Sequence, residues 1–233
     1  STMKLITTAT ALELLGPEKR FSTSIKYSGE IDSNCVLNGD IYIVGGGDPC
    51  LGSERFSEHY GNFINKWAIE IIKLGIDSIN GRVIGDASVF SEQMIPSTWI
   101  WSDLGNYYGA GPCGLSIYEN KCKLELKSGK RGDSTEITCV YPYIPNLDFN
   151  NHVKGMITHK DQSYIFGGPY QENRSIEGGI PVNSEKFMVK GSIPDPSYLA
   201  AFQLEMELRG LGIILSKPST TIRKLKIDNK GSQ

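Results

Sequence analysis

Hydrophobic and polar positions follow two rhythms along this chain. Over residues 2–15, Met3, Ile6 and Ala9, with Leu5 and Leu12, fall at helical spacings, and Gly16-Pro17 stops the pattern. Residues 20–28 alternate as a strand does, and the β-rich run Asp40–Val44 ends in Gly45-Gly46-Gly47-Asp48-Pro49, a turn signal. A helix is predicted over 57–74, with Tyr60, Phe63, Ile64, Trp67, Ile71 and Leu74 on one stripe and Gly75 at its C-terminal cap. Residues 82–91 read as strand and turn.

Residues 95–120 are aromatic, glycine-rich and aperiodic, the pattern of a long ordered loop. From 121 the period changes to two: Cys122, Leu124 and Leu126 alternate with lysines and Glu125, and Ile137, Cys139 and Tyr141 repeat the pattern. Short strands are expected near 162–166, 173–178 and 185–190. Asp195-Pro196 then opens a helix to Gly210, with Asp as cap, Pro in the first turn, and Leu199, Phe202 and Met206 on its buried face. The fold class expected is α+β or α/β: a sheet-and-helix domain with a small all-β domain inserted in it.

Composition adds exclusions. The 233 residues are 39% hydrophobic and 21% charged with a net charge of −2, which suits a folded chain and gives no electrostatic footprint for nucleic acid. The basic stretch 216–230 reads as a solvated surface strand or frayed end. No apolar run is long enough to span a membrane. Cys35, Cys50, Cys113, Cys122 and Cys139 form no metal-type spacing and are expected to be mostly buried.

Ser1 and Lys4 share a helix face, so a hydroxyl and an amine come together. A serine becomes a good nucleophile when a base takes its proton, and a desolvated lysine can serve. The same two residues also describe a helix N-cap followed by a surface lysine. An N-terminal nucleophile using its own amine would be expected to begin a strand, whereas Ser1 begins a helix. His59, His152 and His159 have no G-x-S-x-G elbow to serve and read as structural or surface residues. Gly45-Gly46-Gly47 is no phosphate loop, because Pro49 follows and no helix begins directly behind it.

Four stretches in one order carry a resemblance: "STMKLITTATALELLGPEKRFST", "LNGDIYIVGGGDPCL", "WIWSDLGNYYGAGPCGLSIYEN" and "SIPDPSYLAAFQLEMELRGLGI". Together they resemble the penicillin-binding D-alanyl-D-alanine carboxypeptidases/endopeptidases of the class C low-molecular-mass type, whose signature set includes S-x-x-K, S-x-N and K-[ST]-G. The resemblance implies a periplasmic or extracytoplasmic serine hydrolase of peptidoglycan stem peptides, acylated at Ser1 with the help of Lys4. It implies inhibition by β-lactams at the same serine, and no metal or organic cofactor. It also implies a substrate pocket in which Asp103 pairs with a diaminopimelate ammonium and Tyr108 covers its aliphatic chain. Residue types alone also allow an Asp in a Gly-Asn turn and a packed tyrosine. Trp99 and Trp101 are expected as scaffold.

By the same resemblance, residues 1–16 are the nucleophile helix of a transpeptidase-like domain, 17–120 and 185–233 a second domain, and 121–184 a third inserted in it. Ser78-Ile79-Asn80 and Lys127-Ser128-Gly129 imitate the other two motifs at the wrong places and are expected to be decoys. The chain is therefore expected to be a fragment running from the first motif to before the second, inactive by itself. The competing reading is a non-catalytic module that binds peptidoglycan or a partner protein. The sequence assigns no oligomeric state.

Overall fold

The computed structural model describes residues 2–231. Helix α1 (Thr2–Leu15) ends where Gly16 takes a left-handed φ of 78° and its N–H donates to Leu12 O at 3.0 Å. None of its residues is buried, although Met3, Leu5, Leu12, Leu14 and Leu15 are apolar. Four strands follow: β1 (Ser24–Tyr27), β2 (Glu30–Ile31), β3 (Val36–Asn38) and β4 (Ile41–Val44). After a 3-10 turn at Glu54–Phe56 come helices α2 (Ser57–Tyr60) and α3 (Phe63–Ile72), then β5 (Ser78–Ile79) and β6 (Val83–Asp86).

The single helix expected over 57–74 is thus two. Gly61 turns the chain with a φ of 53°, and the Asn62 carboxamide restarts it by accepting from Asn65 N–H at 3.2 Å. The buried stripe begins there, with Phe63, Ile64, Ala68 and Ile71, whereas Leu74 lies past the helix end and is exposed. The 95–120 segment carries a short helix, α4 (Trp101–Leu104), and 3-10 turns at Tyr107–Gly109 and Tyr118–Asn120.

Seven strands come next: β7 (Lys121–Lys127), β8 (Glu136–Tyr141), β9 (Asp148–Asn151), β10 (Lys154–Met156), β11 (Gln162–Phe166), β12 (Asn173–Pro181) and β13 (Phe187–Ser192). Helix α5 (Pro196–Gly210), β14 (Ile214–Leu215), β15 (Thr220–Thr221) and α6 (Ile222–Gly231) complete the described chain. The strands form four sheets, in the orders β1-β4-β6-β15, β14-β5-β3-β2, β13-β7-β8 and β10-β12-β11, with β9 also on β12. Helix α5 packs on β6, β15 and α3. One apolar core runs from Ile43, Ala68 and Leu204 to Leu124, Ile165, Ile176 and Val189. This is the mixed α and β architecture expected.

Three local readings need correction. Asp195 caps α5 as expected, accepting from Tyr198 N–H at 3.0 Å, but Met206 is exposed and Phe202 only half-buried. The face turned inward is Leu199, Ala200, Ala201, Leu204 and Leu208. The approach is close: a Cβ on Gly85 of β6 would stand 2.2 Å from Ser197 O, so small residues face the sheet. The basic C-terminal stretch is neither a solvated strand nor frayed. Thr221 continues β15 beside β6, and its hydroxyl accepts from Lys224 N–H at 3.1 Å to begin α6. Finally, only Cys113 and Cys122 are buried, and burial pushes both thiols up to about 11.

Exposure of the fifth cysteine has a geometric cause. The pairing of β7 with β8 shifts register at Glu125/Leu126, where Cys139 and Ile137 oppose consecutive residues. Such a bulge reverses which side chains face the core. Ile137 and Val140 pack against the core, while Cys139 and Tyr141 stand outside.

Buried polar side chains help bind the β-rich part to the rest. Arg174 of β12 is 3% exposed and forms no ion pair with a carboxylate among the described residues; it donates to Ser192 O at 2.6 Å, Ser192 Oγ at 3.1 Å and Gly168 O at 3.1 Å. Burial lowers its pKa to about 10, which leaves it charged at neutral pH. The chain enters β7 through Tyr118, Glu119 and Asn120, three successive non-glycine residues with φ of 54°, 56° and 54°. Each costs on the order of 1 kcal/mol relative to ordinary backbone. Side chains hold the segment: Asn120 donates to Gly111 O at 2.9 Å, and the Glu119 carboxylate accepts from Ser53 Oγ at 2.5 Å and pairs with Lys121.

Replacing Arg174 by Leu leaves buried carbonyls without donors and is expected to cost about 3 kcal/mol, read from the urea unfolding midpoint. The Lys121 ammonium and the Ser53 hydroxyl hold Glu119 below the usual carboxylate range. A lowered folded pKa gives stability that is complete above the unfolded value and is lost as pH falls through the folded one. Urea midpoints should therefore decline below the ordinary carboxylate pKa of 4.5, and Glu119→Gln should flatten part of that decline.

Candidate functional site

The segment after β6 builds a small hollow at the surface. Helix α4 has one turn, because Gly105 and Asn106 interrupt it, and Asn106 N–H donates to Asp103 O at 3.0 Å. The next turn closes when Gly109 N–H donates to Asn106 O at 3.0 Å. Only glycine fits there, since a Cβ on Gly109 would lie 2.0 Å from Asp103 O. The two turns fold the chain back on itself and bring Asp103 and Tyr108 to one hollow of about 290 Å³, completed by Thr98, Trp99, Ile100 and Gly109.

Buried Asn106 fixes this hairpin of turns to the β-rich part. Its Oδ1 accepts from Ile165 N–H of β11 at 3.0 Å, and its Nδ2 donates to Ser102 O at 2.7 Å. Ser192 of β13 adds two bonds, donating from N–H to Gly105 O and from Oγ to Leu104 O, each at 2.8 Å. A Cβ on Gly105 would stand 2.1 Å from Ile165 O, so the backbone lies directly on the strand.

Asp103 is half-buried and Tyr108 is 52% exposed, with its ring edge-on to Tyr107 at 5.3 Å between centroids. Burial raises the Tyr108 pKa first, and the charge of Asp103 raises it further. A carboxylate beside an open aromatic face can hold an ammonium group carried on an aliphatic chain. Trp99 and Trp101 were expected as scaffold, but they are 40% and 54% exposed, and Trp99 lines the hollow.

The remaining sequence candidates fall elsewhere. Ser1 lies outside the described residues, and Lys4 stands exposed on α1, not among the residues lining the hollow. The hydroxyl of Thr8 donates to Lys4 O one turn along. His59, His152 and His159 are all exposed. Both motif imitations are structural: Ser78 and Ile79 form β5 between β3 and β14, and Ser128 donates to Pro181 O at 2.6 Å. Among the described residues no group of three or more His, Cys, Asp or Glu is placed to hold a metal ion, and no helix is long and apolar enough to cross a membrane. Sequence reasoning missed Asn106 and Gly109. Their only signal was a Gly-Asn pair and a later glycine in an aperiodic stretch, which marks a turn but not its partner strand.

The family model of D-Ala-D-Ala carboxypeptidase 3 (S13) matches residues 1–229. The chain is 28% identical over 223 residues to the D-alanyl-D-alanine carboxypeptidase DacB of Haemophilus influenzae, covering 91% of this chain and 43% of that protein. It is 22% identical over 221 residues to a D-alanyl-D-alanine carboxypeptidase of Actinomadura sp. strain R39, covering 91% of this chain and 39% of that one. Among solved structures, penicillin-binding protein 4 (dacB) from H. influenzae matches with a TM-score of 0.75 at 26% identity, over 95% of this chain and 47% of that chain. The same protein complexed with a β-lactam matches with a TM-score of 0.61 at 21% identity. The chain thus spans less than half the length of these relatives.

Asp103→Asn should lower the Tyr108 pKa while leaving it above that of free tyrosine, because burial is the larger cause. A spectroscopic phenolate titration, with Tyr108→Phe to assign the signal, reads this directly.

Proposed function

We propose that this chain, which belongs to the D-Ala-D-Ala carboxypeptidase 3 (S13) family, supplies the nucleophile and a substrate pocket of a serine D-Ala-D-Ala carboxypeptidase/endopeptidase acting on peptidoglycan stem peptides. The observation that carries this reading is the family match over residues 1–229, which runs through the Ser1–Lys4 pair. In the reaction, Lys4 takes the proton of Ser1 as its Oγ attacks the carbonyl of the penultimate D-Ala. The tetrahedral adduct collapses to an ester on Ser1 as Lys4 passes the proton to the departing nitrogen, releasing the terminal D-Ala as its amine. Water then cleaves the ester. A β-lactam acylates the same oxygen by opening its ring.

Asp103 and Tyr108 are the substrate-binding residues of this reading. Their meeting at one hollow supports it: the carboxylate takes the ammonium of a diaminopimelate side chain, and the ring covers the methylenes. In the same reading, residues 1–16 are the nucleophile helix of a transpeptidase-like domain, residues 17–120 with 185–233 are the second domain, and 121–184 are the inserted β domain. The site of action is the periplasm or another extracytoplasmic space.

Acyl transfer also needs fixed donors for the oxyanion. Helix α1 has no buried residue, so nothing among the described residues encloses a reaction centre on it. The 233-residue chain by itself is therefore inactive in this proposal. That exposed helix also favours a second reading, in which the chain serves as a non-catalytic module binding peptidoglycan or a partner.

Labelled penicillin, with intact protein mass as readout, separates the two. It is applied to the 233-residue chain and to the protein at the full length of its relatives, each beside Ser1→Ala. Labelling of the long form alone, abolished by Ser1→Ala, is the expected result. Labelling of the short chain would refute its inactivity, and labelling of neither would leave the binding module. Asp103→Ala should weaken turnover of diaminopimelate-containing substrate by about tenfold or more while sparing penicillin labelling.

A further inference from the structure

A cleft of about 460 Å³ opens between the Gly52–Phe63 segment and the strands β7, β8 and β13. A cavity of this size suits a small organic ligand, within roughly 300–1,000 Å³. Four rings line it: Phe63, which belongs to the core, Tyr60 and Tyr118, which are half-buried against it, and Tyr141, which is exposed. Phe63 and Tyr118 meet edge-on at 5.9 Å between centroids, whereas Tyr141 is 63% exposed because the β7–β8 bulge turns it outward.

The charges in the cleft are largely spent on each other. Glu119 holds Lys121, accepts from Ser53 and lies 3.7 Å from Arg55, and Glu54 holds Lys123. Lys190 is the exception, its ammonium 5.9 Å from the centroid of Tyr107. Apart from Lys190 the uncommitted groups are neutral: among the described residues the Ser57 hydroxyl, the Asn62 Nδ2 and the Tyr141 hydroxyl have no hydrogen-bond partner. The left-handed backbone at Tyr118–Asn120 places two of the lining residues, and strain of this kind collects where a ligand must be met.

We propose that this cleft is an oligosaccharide subsite that takes a short strand of N-acetylhexosamines. The exposed Tyr141 ring offers a flat apolar face to the C–H face of a pyranose ring, with the half-buried rings of Tyr60 and Tyr118 behind it, and neutral donors and acceptors match hydroxyl and acetamido groups. A stem peptide carries carboxylates and ammonium groups, and would have to open the Glu119–Lys121 and Glu54–Lys123 pairs to enter. The choice of N-acetylhexosamines rests on the proposed action on peptidoglycan, whose stem peptides are attached to such a glycan. The inserted strands would then hold the glycan while the hollow at Asp103 receives the peptide.

The test is a titration of the 233-residue chain with tri-N-acetylchitotriose, followed by amide NMR shifts and calorimetry. Saturable binding that moves the resonances of Ser57, Asn62 and Tyr141 is expected. Tyr141→Ala should weaken it by at least about tenfold. Ser57→Ala, at an exposed position, should weaken it less and guards against a folding defect in the first variant. Absence of saturable binding overturns the proposal. So does binding unchanged in both variants, which would put the sugar elsewhere, or tighter capture of a glycan-free stem peptide by the same residues. Penicillin labelling of the long form is read separately. If the sugar fails to bind while Ser1 is labelled, only the subsite fails; if the sugar binds while Ser1 is unlabelled, only the hydrolase reading fails.

Discussion

Asn106 forms hydrogen bonds from both ends of its carboxamide, to Ile165 N–H on one side and Ser102 O on the other. At 3% exposure neither end can turn to water, so breaking either bond would strand a polar group in the core. This constraint sets the path of the chain from α4 to β7. It seats Gly105 on β11, lets Ser192 close the same seam from β13, and leaves Asp103 and Tyr108 on the outer side of the turn. The hollow is therefore a by-product of how the loop is tied to the strands beneath it.

The seam also explains why the β-rich part and the helical part share one apolar core. β13 lies between β7 and the Asn106 turn, and Arg174 reaches from β12 to the end of the same strand. A guanidinium buried among carbonyls is an expensive group to keep, and its value lies in direction: its planar fork bonds acceptors on two separate segments at once. The Tyr118–Asn120 connector is costly in another way. Its left-handed backbone persists because Glu119 and Asn120 spend their side chains on neighbouring segments. Both devices stand where the chain passes between the two parts.

Helix α1 is the counterexample. Gly16 closes its C-terminal end, yet the helix contributes no buried residue to the core. Helical stability of this length comes mostly from packing apolar residues, and those of this helix are all exposed or half-buried. The family match over residues 1–229 takes in the whole of this helix.

Local physics was legible in the residues. Gly16 ends a helix, Asp195 caps one, and Cys122, Leu124 and Leu126 alternate into the core, because each depends on a few neighbouring positions. The order of the four resembling stretches likewise announced the family. What the residues could not announce came from contacts distant in sequence. The register shift that exposes Cys139 and Tyr141 arises only when β8 meets β7. The inward turn of Ala200 and Ala201 in α5 depends on how close β6 lies, and the tie between Asn106 and Ile165 spans 59 positions. Side-chain chemistry is written in the chain, but which partner satisfies a buried polar group is decided by what the fold places beside it.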